Sequence, residues 1–475
     1  MSQLEAINPR SGAIDYRIAE DDPSAVAQIA ARLRGNQSGW AADIDARMAA
    51  MAAWADELGS RRDAMGAALT ADTGRRLMSY LEVDLMVGRI RHWVERTPQL
   101  LAEPAEGRSA SAANVAYQHQ RVPYDLVGVI SPWNFPLTLS LTDSVPALCA
   151  GCAVLLKPSE ITPRFVSVLN DSIDAVPALA AVFRAVVGSA QTGSALIDNV
   201  DMLCFTGSVA TGRRVAVQAA ENFIPACLEL GGKDPAVVLA DADLDAAADA
   251  LLRSAAGSTG QACMSIERIY IHESIFAELR ERLVEKANAL DLNTPDIHCG
   301  VMPPFIDQRQ AGKVAAQLDD AVAKGAEVHS GGAPENIDGG WWMRPTVLSG
   351  ITDEMVLMQE ETFGPLLPLI PFSSDAEAVA LANSGDFGLS GSVFGEEKHA
   401  LAVARQLRAG AIGINDASMT ALIHDIEKQS FGLSGMGPSR MGDTGLLRFL
   451  RVKAMMIQRD PPTPLAALDE SLLPR

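Results

Sequence analysis

Three side chains in this sequence carry the groups needed to attack a carbonyl carbon, to activate water and to stabilise an oxyanion. Cys263 ends the segment GSTGQAC (257–263), Glu229 lies in LELGGK (228–233), and Asn134 lies in PWNFP (132–136). A thiol is a soft nucleophile, a carboxylate can act as a general base, and an amide can donate a hydrogen bond to developing negative charge. The three segments therefore suit covalent chemistry on a carbonyl group.

These segments and three others together resemble the aldehyde dehydrogenase superfamily. The other three are KPSE (157–160), FTGS (205–208) and EETFGP (360–365). All six occur in the family order, at family-like spacing, over nearly the whole chain. The resemblance is to the hydrolytic members, which use NAD or NADP, so it implies an enzyme that oxidises an aldehyde to a carboxylic acid.

The resemblance assigns a role to each of the three side chains. Cys263 attacks the aldehyde and later carries a thioester, while the Asn134 amide and the Cys263 N–H hold the oxyanion. Glu229 draws a proton from the water that hydrolyses the thioester. CoA-acylating members of the family lack a glutamate at this position and use a thiol in place of water, so Glu229 favours hydrolysis.

The expected cofactor is NAD, bound without the common dinucleotide fingerprint, since no GxGxxG occurs in the chain. The FTGS segment follows a predicted strand and precedes a predicted helix, whose N-terminus would face the pyrophosphate. In similar proteins the Lys and Glu of KPSE contact the adenosine ribose, and a carboxylate at Glu160 would repel the 2′-phosphate of NADP. The residues predicted to bind the cofactor are Ser131, Trp133, Lys157, Ser159, Glu160, Gly188, Gly193, Phe205, Gly207, Ser208, Leu230, Glu361 and Phe363.

Two departures from the family pattern lie close to the expected chemistry. Asp143 stands where many hydrolytic members have a lysine that is thought to orient the catalytic glutamate. The loop 416–429 looks longer than in many members, and the motif after it differs. Phe135 and Phe431 are predicted to line an apolar path for the substrate. The sequence does not identify the aldehyde substrate, and no arginine is identified as a partner for a carboxylated semialdehyde.

Composition argues against several classes of partner. The formal net charge of −20 disfavours nucleic acid and anionic membranes, because both need a basic surface. The first 22 residues lack the apolar core of a secretory signal, and the longest uncharged apolar stretch, 145–156, is too short to span a bilayer, so a cytoplasmic protein is expected. Six cysteines do not suggest a disulfide framework. The CxxC at 149–152 is interpreted as buried thiols, and no metal site is predicted.

Strand and helix signals alternate after a helical region at 23–100. This pattern predicts an α/β fold with two doubly wound parallel-sheet domains and a small bridging β segment. We assign 1–106 and 123–230 to a Rossmann-like dinucleotide-binding domain and 231–445 to a catalytic domain. Residues 107–122 and 446–475 form the predicted oligomerisation segment, with isolated strands at 110–121 and 453–458. In the family such pieces pair with another subunit, which implies a homodimer or homotetramer.

Two other functions remain as alternatives. A CoA-acylating relative is disfavoured by Glu229, and an NADP-preferring relative is disfavoured by Glu160. A non-catalytic scaffold of the same fold would be indicated by the loss of Cys263 or Glu229, and both residues are present.

Overall fold

The computed structural model of the protein describes residues 3–102, 105–421, 423–469 and 471. Two mostly parallel sheets, one of six strands and one of seven, form its centre, and helices pack against both of them. This arrangement confirms the predicted α/β fold class with two parallel-sheet units. Among the helices of the described residues, none is long and apolar enough to cross a membrane.

The strands are short in both sheets, and three smaller antiparallel sheets accompany them. In chain order the strands are β1 (Gln3–Ile7), β2 (Ile14–Ala19), β3 (Gly107–Arg108), β4 (Val115–Pro123), β5 (Leu126–Ile130), β6 (Ala153–Lys157), β7 (Phe183–Ala185), β8 (Met202–Thr206), β9 (Ala226–Glu229), β10 (Asp234–Val238), β11 (Ile266–His272), β12 (Glu327–Val328), β13 (Glu335–Ile337), β14 (Gly340–Trp342), β15 (Thr346–Ser349), β16 (Leu366–Phe372), β17 (Ser390–Phe394), β18 (Ala411–Ile414), β19 (Gly435–Met436) and β20 (Leu450–Gln458).

The helices include four long ones near the start of the chain, where a helical region was predicted. In chain order they are α1 (Pro23–Ala42), α2 (Ile44–Ser60), α3 (Arg62–Thr73), α4 (Arg76–Leu101), α5 (Pro136–Ala150), α6 (Phe165–Asp174), α7 (Pro177–Ala180), α8 (Ala190–Ile197), α9 (Val209–Glu221), α10 (Leu244–Ala256), α11 (Phe276–Asn288), α12 (Gln308–Ala323), α13 (Val356–Gln359), α14 (Asp375–Ala382), α15 (Glu397–Ala404) and α16 (Thr444–Leu447).

The first sheet has the strand order β19-β9-β8-β5-β6-β7 and is parallel except at β19. The chain moves outward from β5 through β6 and β7, then returns to the other side of β5, so the topological switch point lies beside β5. The sequences of β5 (LVGVI) and β6 (AVLLK) are buried almost throughout, as expected for parallel strands covered on both faces. Ligands of such sheets bind at the carboxyl ends of the strands near the switch point.

The second sheet has the order β12-β15-β16-β11-β10-β17-β18 and is parallel except at β12. It begins directly after the GGK at 231–233, because β10 starts at Asp234. The glutamate at the end of β9 and the first strand of the second sheet are therefore separated by only four residues. This short connection brings the two sheets together beside Glu229.

Three strands, β4, β20 and β19, differ from the prediction in their limits or their place. The strand predicted at 110–121 begins at Val115, because Ser109 Oγ accepts the N–H of Ala112 at 3.2 Å and closes a turn after β3. The strand predicted at 453–458 begins earlier, at Leu450, and pairs with β4 along its whole length. The chain also rejoins the first sheet at β19, ahead of the predicted limit of the second unit at residue 445.

Helix α5 positions several of the candidate site residues. Pro136 occupies its first turn, where a missing N–H costs nothing, so the helix can start directly after Asn134 and Phe135. Gly151 ends it in the left-handed conformation at φ 103°, which favours glycine. Asn134 thus lies at the N-terminal entry of a buried helix, and Asp143 lies two turns further along it.

The segment that leads to Cys263 reverses direction in an unusual backbone conformation. Ser258, Thr259 and Gly260 have φ values of 55°, 59° and 70°, all in the left-handed region that residues with a Cβ seldom adopt. Gln261 holds the turn, because its Nε2 donates to Ser258 O at 2.9 Å and its Oε1 accepts the N–H of Ile306 at 2.9 Å. The turn therefore fixes where Cys263 emerges.

We expect Gly260→Ala to disturb this turn and the cysteine after it. A Cβ on Gly260 would collide with the carbonyl of Gly364 and lie 2.9 Å from Ala255 O, and the residue has φ +70°. The free energy of unfolding should fall by about 1–3 kcal/mol, measured by urea denaturation. Gly257→Ala is the matched control, since a Cβ there meets nothing within 4 Å. Equal stability of the two variants would contradict the account of the turn.

Candidate active site

The carboxyl ends of the first sheet gather many of the residues predicted to bind a dinucleotide. Ser131 follows β5, Lys157 ends β6, Gly207 follows β8 and Glu229 ends β9. Ser131 Oγ lies 2.7 Å from Ser140 Oγ on α5, and its N–H donates to Lys157 O at 3.2 Å. The edge that the topology marks for a ligand is therefore the edge that carries these residues.

Lys157 and Glu160 form an ion pair at this edge. Lys157 Nζ lies 3.0 Å from Glu160 Oε2, and the lysine side chain is 5% exposed while the glutamate is 45% exposed. Burial alone would raise the pKa of Glu160, but the charge of Lys157 and local hydrogen bonds outweigh it and lower this pKa. Glu160 is thus held as a carboxylate that faces solvent. Ser159, between them, accepts the N–H of Ile161 at 3.3 Å.

The FTGS segment connects the end of β8 to helix α9, so it joins a strand to a helix as predicted. Ser208 caps the helix, because its Oγ accepts the N–H of Thr211 at 3.3 Å. A Cβ on Gly207 would lie 2.6 Å from the ring of Phe205, so glycine is needed for this close turn. The first N–H groups of a helix have no intrahelical partner and favour an anion. This end of α9 therefore fits a pyrophosphate group.

Three further predicted residues lie around the same sheet edge. Gly188 packs so closely against Thr192 that a Cβ could not be placed there. Gly193, on α8, has its Cβ position 3.7 Å from the Lys157 side chain. Leu230 is buried and lies 2.6 Å from the Cβ position of Gly212 on α9. All three shape the backbone around the Lys157–Glu160 pair and α9.

The EETFG segment is held by a buried ion pair that the sequence analysis missed. Glu267 accepts the N–H groups of Thr362 and Phe363, each at 2.8 Å, and Lys233 Nζ lies 2.7 Å from Glu267 Oε2. Phe363 has φ 56° and packs edge-on against Trp133, with ring centroids 5.5 Å apart. The two aromatic residues predicted near the cofactor are therefore in contact.

Glu361 presents a carboxylate with spare hydrogen-bonding capacity. It accepts the N–H of Gly232 at 3.2 Å, and its own carbonyl accepts from Lys313 Nζ at 2.6 Å. Burial, followed by the charge of Glu267, raises the pKa of Glu361 to about 7. A carboxylate has about four acceptor positions, so Glu361 can still receive ribose hydroxyl groups. Together with the start of α9 and the Lys157–Glu160 pair, these residues fit NAD(P).

Cys263 lies against the end of the first sheet. A Cβ on Gly232 would be 2.5 Å from the carbonyl oxygen of Cys263, so the cysteine backbone packs onto the segment that follows Glu229. Burial raises the pKa of the Cys263 thiol to about 12, with the negative charges of Glu361, Asp234 and Glu229 adding to it and Lys428 opposing it. The thiol is thus protonated at neutral pH.

Asn134 is buried beside the same turn. Its Nδ2 donates to Gln261 O at 3.0 Å, which uses one of the two amide N–H bonds. Its backbone carbonyl accepts from the Arg75 guanidinium, which also covers the Phe135 ring at 4.7 Å. Phe135, predicted to line the substrate path, is therefore half-buried against an arginine, and Phe431 is 44% exposed.

Glu229 has two polar partners from the C-terminal loop, neither of which the sequence analysis identified. Lys428 Nζ lies 3.4 Å from Glu229 Oε2, and Ser430 Oγ donates to the same oxygen at 3.1 Å. The Lys428 and Glu229 side chains are 9% and 16% exposed. Lys428 is the one lysine in residues 416–431, and this single basic residue was the sequence signal that could have identified it as a partner of Glu229.

Asp143, at the position where the family resemblance predicts a lysine, pairs with two arginines instead. Arg440 Nη2 lies 2.9 Å from its Oδ2, and Arg448 contacts its Oδ1. Burial would raise the pKa of Asp143, but Arg440, Arg448 and Arg89 overcome this and lower it. The Asp143 carboxylate is paired with these two arginines. The cation beside Glu229 is Lys428, which comes from a different part of the chain.

We expect Glu361→Gln to speed alkylation of Cys263 by iodoacetamide at about pH 8.5. The Glu361 charge raises the Cys263 pKa, so its removal lowers that pKa and increases the thiolate fraction at fixed pH, by roughly 3- to 10-fold. Below pH about 7, where Glu361 is itself protonated, the two proteins should react alike. Site-resolved mass spectrometry in a Cys299→Ser background measures the rates, since Cys299 is exposed.

The control for this experiment is Glu360→Gln, which removes an exposed carboxylate next to Glu361. It should leave the alkylation rate of Cys263 unchanged. A rate increase of the same size in both variants would mean that the effect is not specific to Glu361.

Comparison with known proteins identifies the family of the chain. The sequence profile of the Aldehyde dehydrogenase family matches residues 1–455. A Mycolicibacterium smegmatis protein with the provisional name succinate-semialdehyde dehydrogenase [NADP(+)] is 36% identical over 448 residues, which cover 92% of this chain and 86% of the relative. A Methylomonas protein named 4,4'-diapolycopene aldehyde oxidase is 34% identical, covering 94% and 84%.

Solved structures show the same similarity. A provisionally assigned aldehyde dehydrogenase, PutA, from Anabaena variabilis has a TM-score of 0.95 and 48% identity, covering 98% of this chain and 99% of its own. Lactaldehyde dehydrogenase from Escherichia coli has a TM-score of 0.91 and 28% identity, covering 96% of each chain. No group of three or more His, Cys, Asp or Glu residues suited to a metal ion occurs among the described residues. The chain belongs to the aldehyde dehydrogenase family, and it is an NAD(P)-dependent enzyme of that family.

Proposed function

We propose that this enzyme oxidises an aldehyde to the corresponding carboxylic acid, with NAD as hydride acceptor, Cys263 as nucleophile and Glu229 as general base. One observation carries the proposal. The backbone of Cys263 packs against Gly232, three residues after Glu229, and the Asn134 amide is bonded to Gln261 two residues before Cys263. Nucleophile, oxyanion donor and base thus share one small region.

The attack step requires Cys263 to lose its proton. Glu229 and Glu361 are carboxylates whose charges act on the thiol, so either can accept it. As the C–S bond forms, the aldehyde oxygen becomes an oxyanion. The unused N–H of the Asn134 amide and the Cys263 N–H can both donate to it, and one such donor contributes about 3 kcal/mol to transition-state stabilisation.

The bound cofactor supplies an oxidised nicotinamide that accepts hydride. The protein's own residues hold the cofactor in place. Trp133 and Phe363 pack together where the resemblance places the nicotinamide, and Glu361 lies beside them with acceptor capacity for ribose. Lys233 and Glu267 fix that loop through a buried ion pair.

Hydrolysis of the Cys263 thioester is assigned to Glu229. Its carboxylate takes a proton from water while the water oxygen attacks the acyl carbon, and the thiolate leaves. Lys428 and Ser430 both contact Oε2 of Glu229, which fixes the carboxylate and leaves Oε1 for the water. We propose that Lys428 is a positioning residue for Glu229, supplied from the C-terminal loop in place of the lysine missing at Asp143.

NAD is proposed over NADP because of the Lys157–Glu160 pair. The Glu160 carboxylate is kept ionised and 45% exposed at the sheet edge that the dinucleotide would occupy. It can accept the adenosine ribose hydroxyls and would repel a 2′-phosphate. The provisional names of several mycobacterial relatives specify NADP, so NADP remains the second candidate.

We also propose that the three-stranded sheet β20-β4-β3 joins subunits in a homodimer or homotetramer. Its strand β20 exposes Val452 (66%) and Met456 (78%), which are large apolar side chains on an unpaired face. The remaining chain would divide into a dinucleotide-binding domain around the first sheet and a catalytic domain around the second. The names of the relatives refer to two different aldehydes, succinate semialdehyde and 4,4'-diapolycopene aldehyde. The substrate must therefore be inferred from this chain's own residues.

We expect Glu229→Gln to retain a rapid burst of NADH and to lose steady turnover by roughly 100-fold or more, because only the hydrolytic step needs the base. Lys428→Met should keep the burst and slow turnover by about tenfold, because Glu229 loses its cationic neighbour. Stopped-flow absorbance of NADH with NAD and an aldehyde panel, with and without CoA, measures both phases.

Two variants test whether the Lys428 effect is specific. Lys428→Arg retains the charge and should recover part of the turnover, while Lys398→Met removes an exposed lysine and should change nothing. Loss of the burst in Glu229→Gln with normal hydrolysis would contradict the role of Glu229. Turnover only in the presence of CoA would contradict hydrolysis altogether.

We expect Glu160→Gln to reduce the preference of the enzyme for NAD over NADP by about 10-fold, because the charge that opposes a 2′-phosphate is removed. The ratio of kcat/KM for the two cofactors at one aldehyde concentration measures this. A wild-type enzyme that prefers NADP, or a variant with an unchanged ratio, would contradict the assignment.

A further inference from the structure

Three arginines surround a single buried carboxylate beside the active site. Arg440 and Arg448 pair with Asp143, and Arg440 Nη1 also donates to Thr206 Oγ1 at 3.3 Å. Thr206 stands opposite Glu229 in the pairing of β8 with β9. The third arginine, Arg89, lies within the electrostatic reach of both Arg440 and Asp143. The cluster therefore carries more positive than negative charge next to the catalytic base.

Arg89 has more buried, unpaired donor atoms than either other arginine of this cluster, since Arg440 and Arg448 each lack a partner for a buried atom only at Nε among the described residues. It comes from helix α4, and its Nη1 donates to Thr142 Oγ1 on α5 at 3.0 Å. Its Nε and Nη2 are buried and have no hydrogen-bond partner among the residues that the structure describes. Burial, together with the charge of Arg440, lowers the pKa of Arg89 to about 9, which still leaves it charged at neutral pH. Buried guanidinium groups without partners are costly unless a ligand completes them.

Helices α4 and α5 pack side by side and connect the region of Asn134 with that of Arg89. Glu82 and Arg89 are two turns apart on one face of α4, and they contact Thr138 and Thr142, which are one turn apart on α5. The Thr138 hydroxyl is also buried and has no hydrogen-bond partner of standard geometry in the described part of the chain. Thr142 lies about 9 Å along α5 from its start at Pro136, at 1.5 Å per residue. A molecule that places its carbonyl at Asn134 could therefore reach Arg89 with its other end.

The C-terminal loop closes the far side of the same region. His424 Nε2 is buried without a partner among the described residues, and Lys428, four residues on, contacts Glu229. Burial, with Arg89 and Arg440, lowers the pKa of His424 to about 4 against an opposing backbone hydrogen bond with Ala421, so the imidazole is neutral. In the tautomer that carries its single proton on Nε2, the ring can donate that N–H to an anion. The carboxylate that opposes this effect is Asp425, which is exposed.

We propose that Arg89, with His424, binds the terminal carboxylate of the substrate, so that the aldehyde oxidised at Cys263 is an ω-oxo carboxylate. The inference rests on the proposed function, since it assigns the other end of the same substrate. A carboxylate matches the planar fork of a guanidinium and neutralises the excess charge of the cluster. This arginine reaches the site from helix α4, far in sequence from the catalytic motifs.

The test compares straight-chain aldehydes of equal length with and without a terminal carboxylate. The wild-type enzyme should show at least about 100-fold higher kcat/KM for the carboxylated member of each pair. Arg89→Met should lower this ratio by about 10- to 100-fold, mainly through KM, and His424→Leu should lower it by less. Arg91→Met is the control, because Arg91 is an exposed arginine on the same helix that pairs with Asp56. Its ratio should equal that of the wild type.

A binding measurement tests the pocket without turnover. Succinate should raise the Tm of the wild-type protein and of Arg91→Met, but not that of Arg89→Met. If Arg89→Met does not fold, Arg89→Lys, which retains a charge but lacks the fork, should bind succinate more weakly than the wild type.

The outcomes separate this inference from the proposed function. Equal kcat/KM for both members of each pair, with no effect of Arg89→Met, would overturn the carboxylate site while leaving aldehyde oxidation intact. Preference for an aldehyde with a terminal phosphate would overturn the carboxylate assignment. Failure to oxidise any aldehyde would count against the proposed function, and the succinate shift would then decide the pocket by itself.

Discussion

The arrangement of the site depends on one buried ion pair. Lys233, at the start of the second sheet, and Glu267, on β11, are 3% and 4% exposed, and Glu267 also accepts two N–H groups from Thr362 and Phe363. This pair ties the segment after Glu229 to the loop that carries Glu361. Removing one member would leave a buried charge without a partner, at a cost of about 3–5 kcal/mol. The ion pair therefore holds the loop that carries Glu361 in one position, as a cofactor site requires.

A second constraint is the distribution of charge around Glu229. Helix α5 carries Asp143 where the family resemblance predicts a lysine, and Arg440 and Arg448 pair with its carboxylate. The cation next to Glu229 comes instead from Lys428 on the C-terminal loop. Because the loop also carries His424, one segment contacts Glu229 and lies near the arginine cluster. This loop therefore places polar side chains beside both Glu229 and the arginine cluster.

Much of the site could be predicted from the sequence because its residues lie in short local motifs. The segments around Asn134, Glu229 and Cys263 each form a turn next to a strand or helix, and local sequence specifies such turns through glycine and proline. The start of α9 was equally predictable, since Ser208 caps it within the same motif. The alternation of strands and helices was enough to give the fold class.

Contacts between distant segments could not be predicted in this way. Lys428 is 199 residues from Glu229, and long-range contacts such as the pairing of β19 with β9 bring them together. Arg89 and Thr142 meet because α4 packs on α5, a contact with no local sequence signal. The edge strands were also missed or misplaced. Val115 starts its strand late because a serine turn precedes it, and Gly435–Met436 is too short to show any periodicity.

The most direct test of the central claim is to trap the covalent intermediate. Intact-mass spectrometry of Glu229→Gln, mixed with NAD and an ω-oxo carboxylate, should show an added acyl group that peptide mapping places on Cys263. The same mixture with Glu229→Gln and Cys263→Ser combined should show none. An unmodified Glu229→Gln protein that still releases acid at the wild-type rate would contradict both the nucleophile and the base.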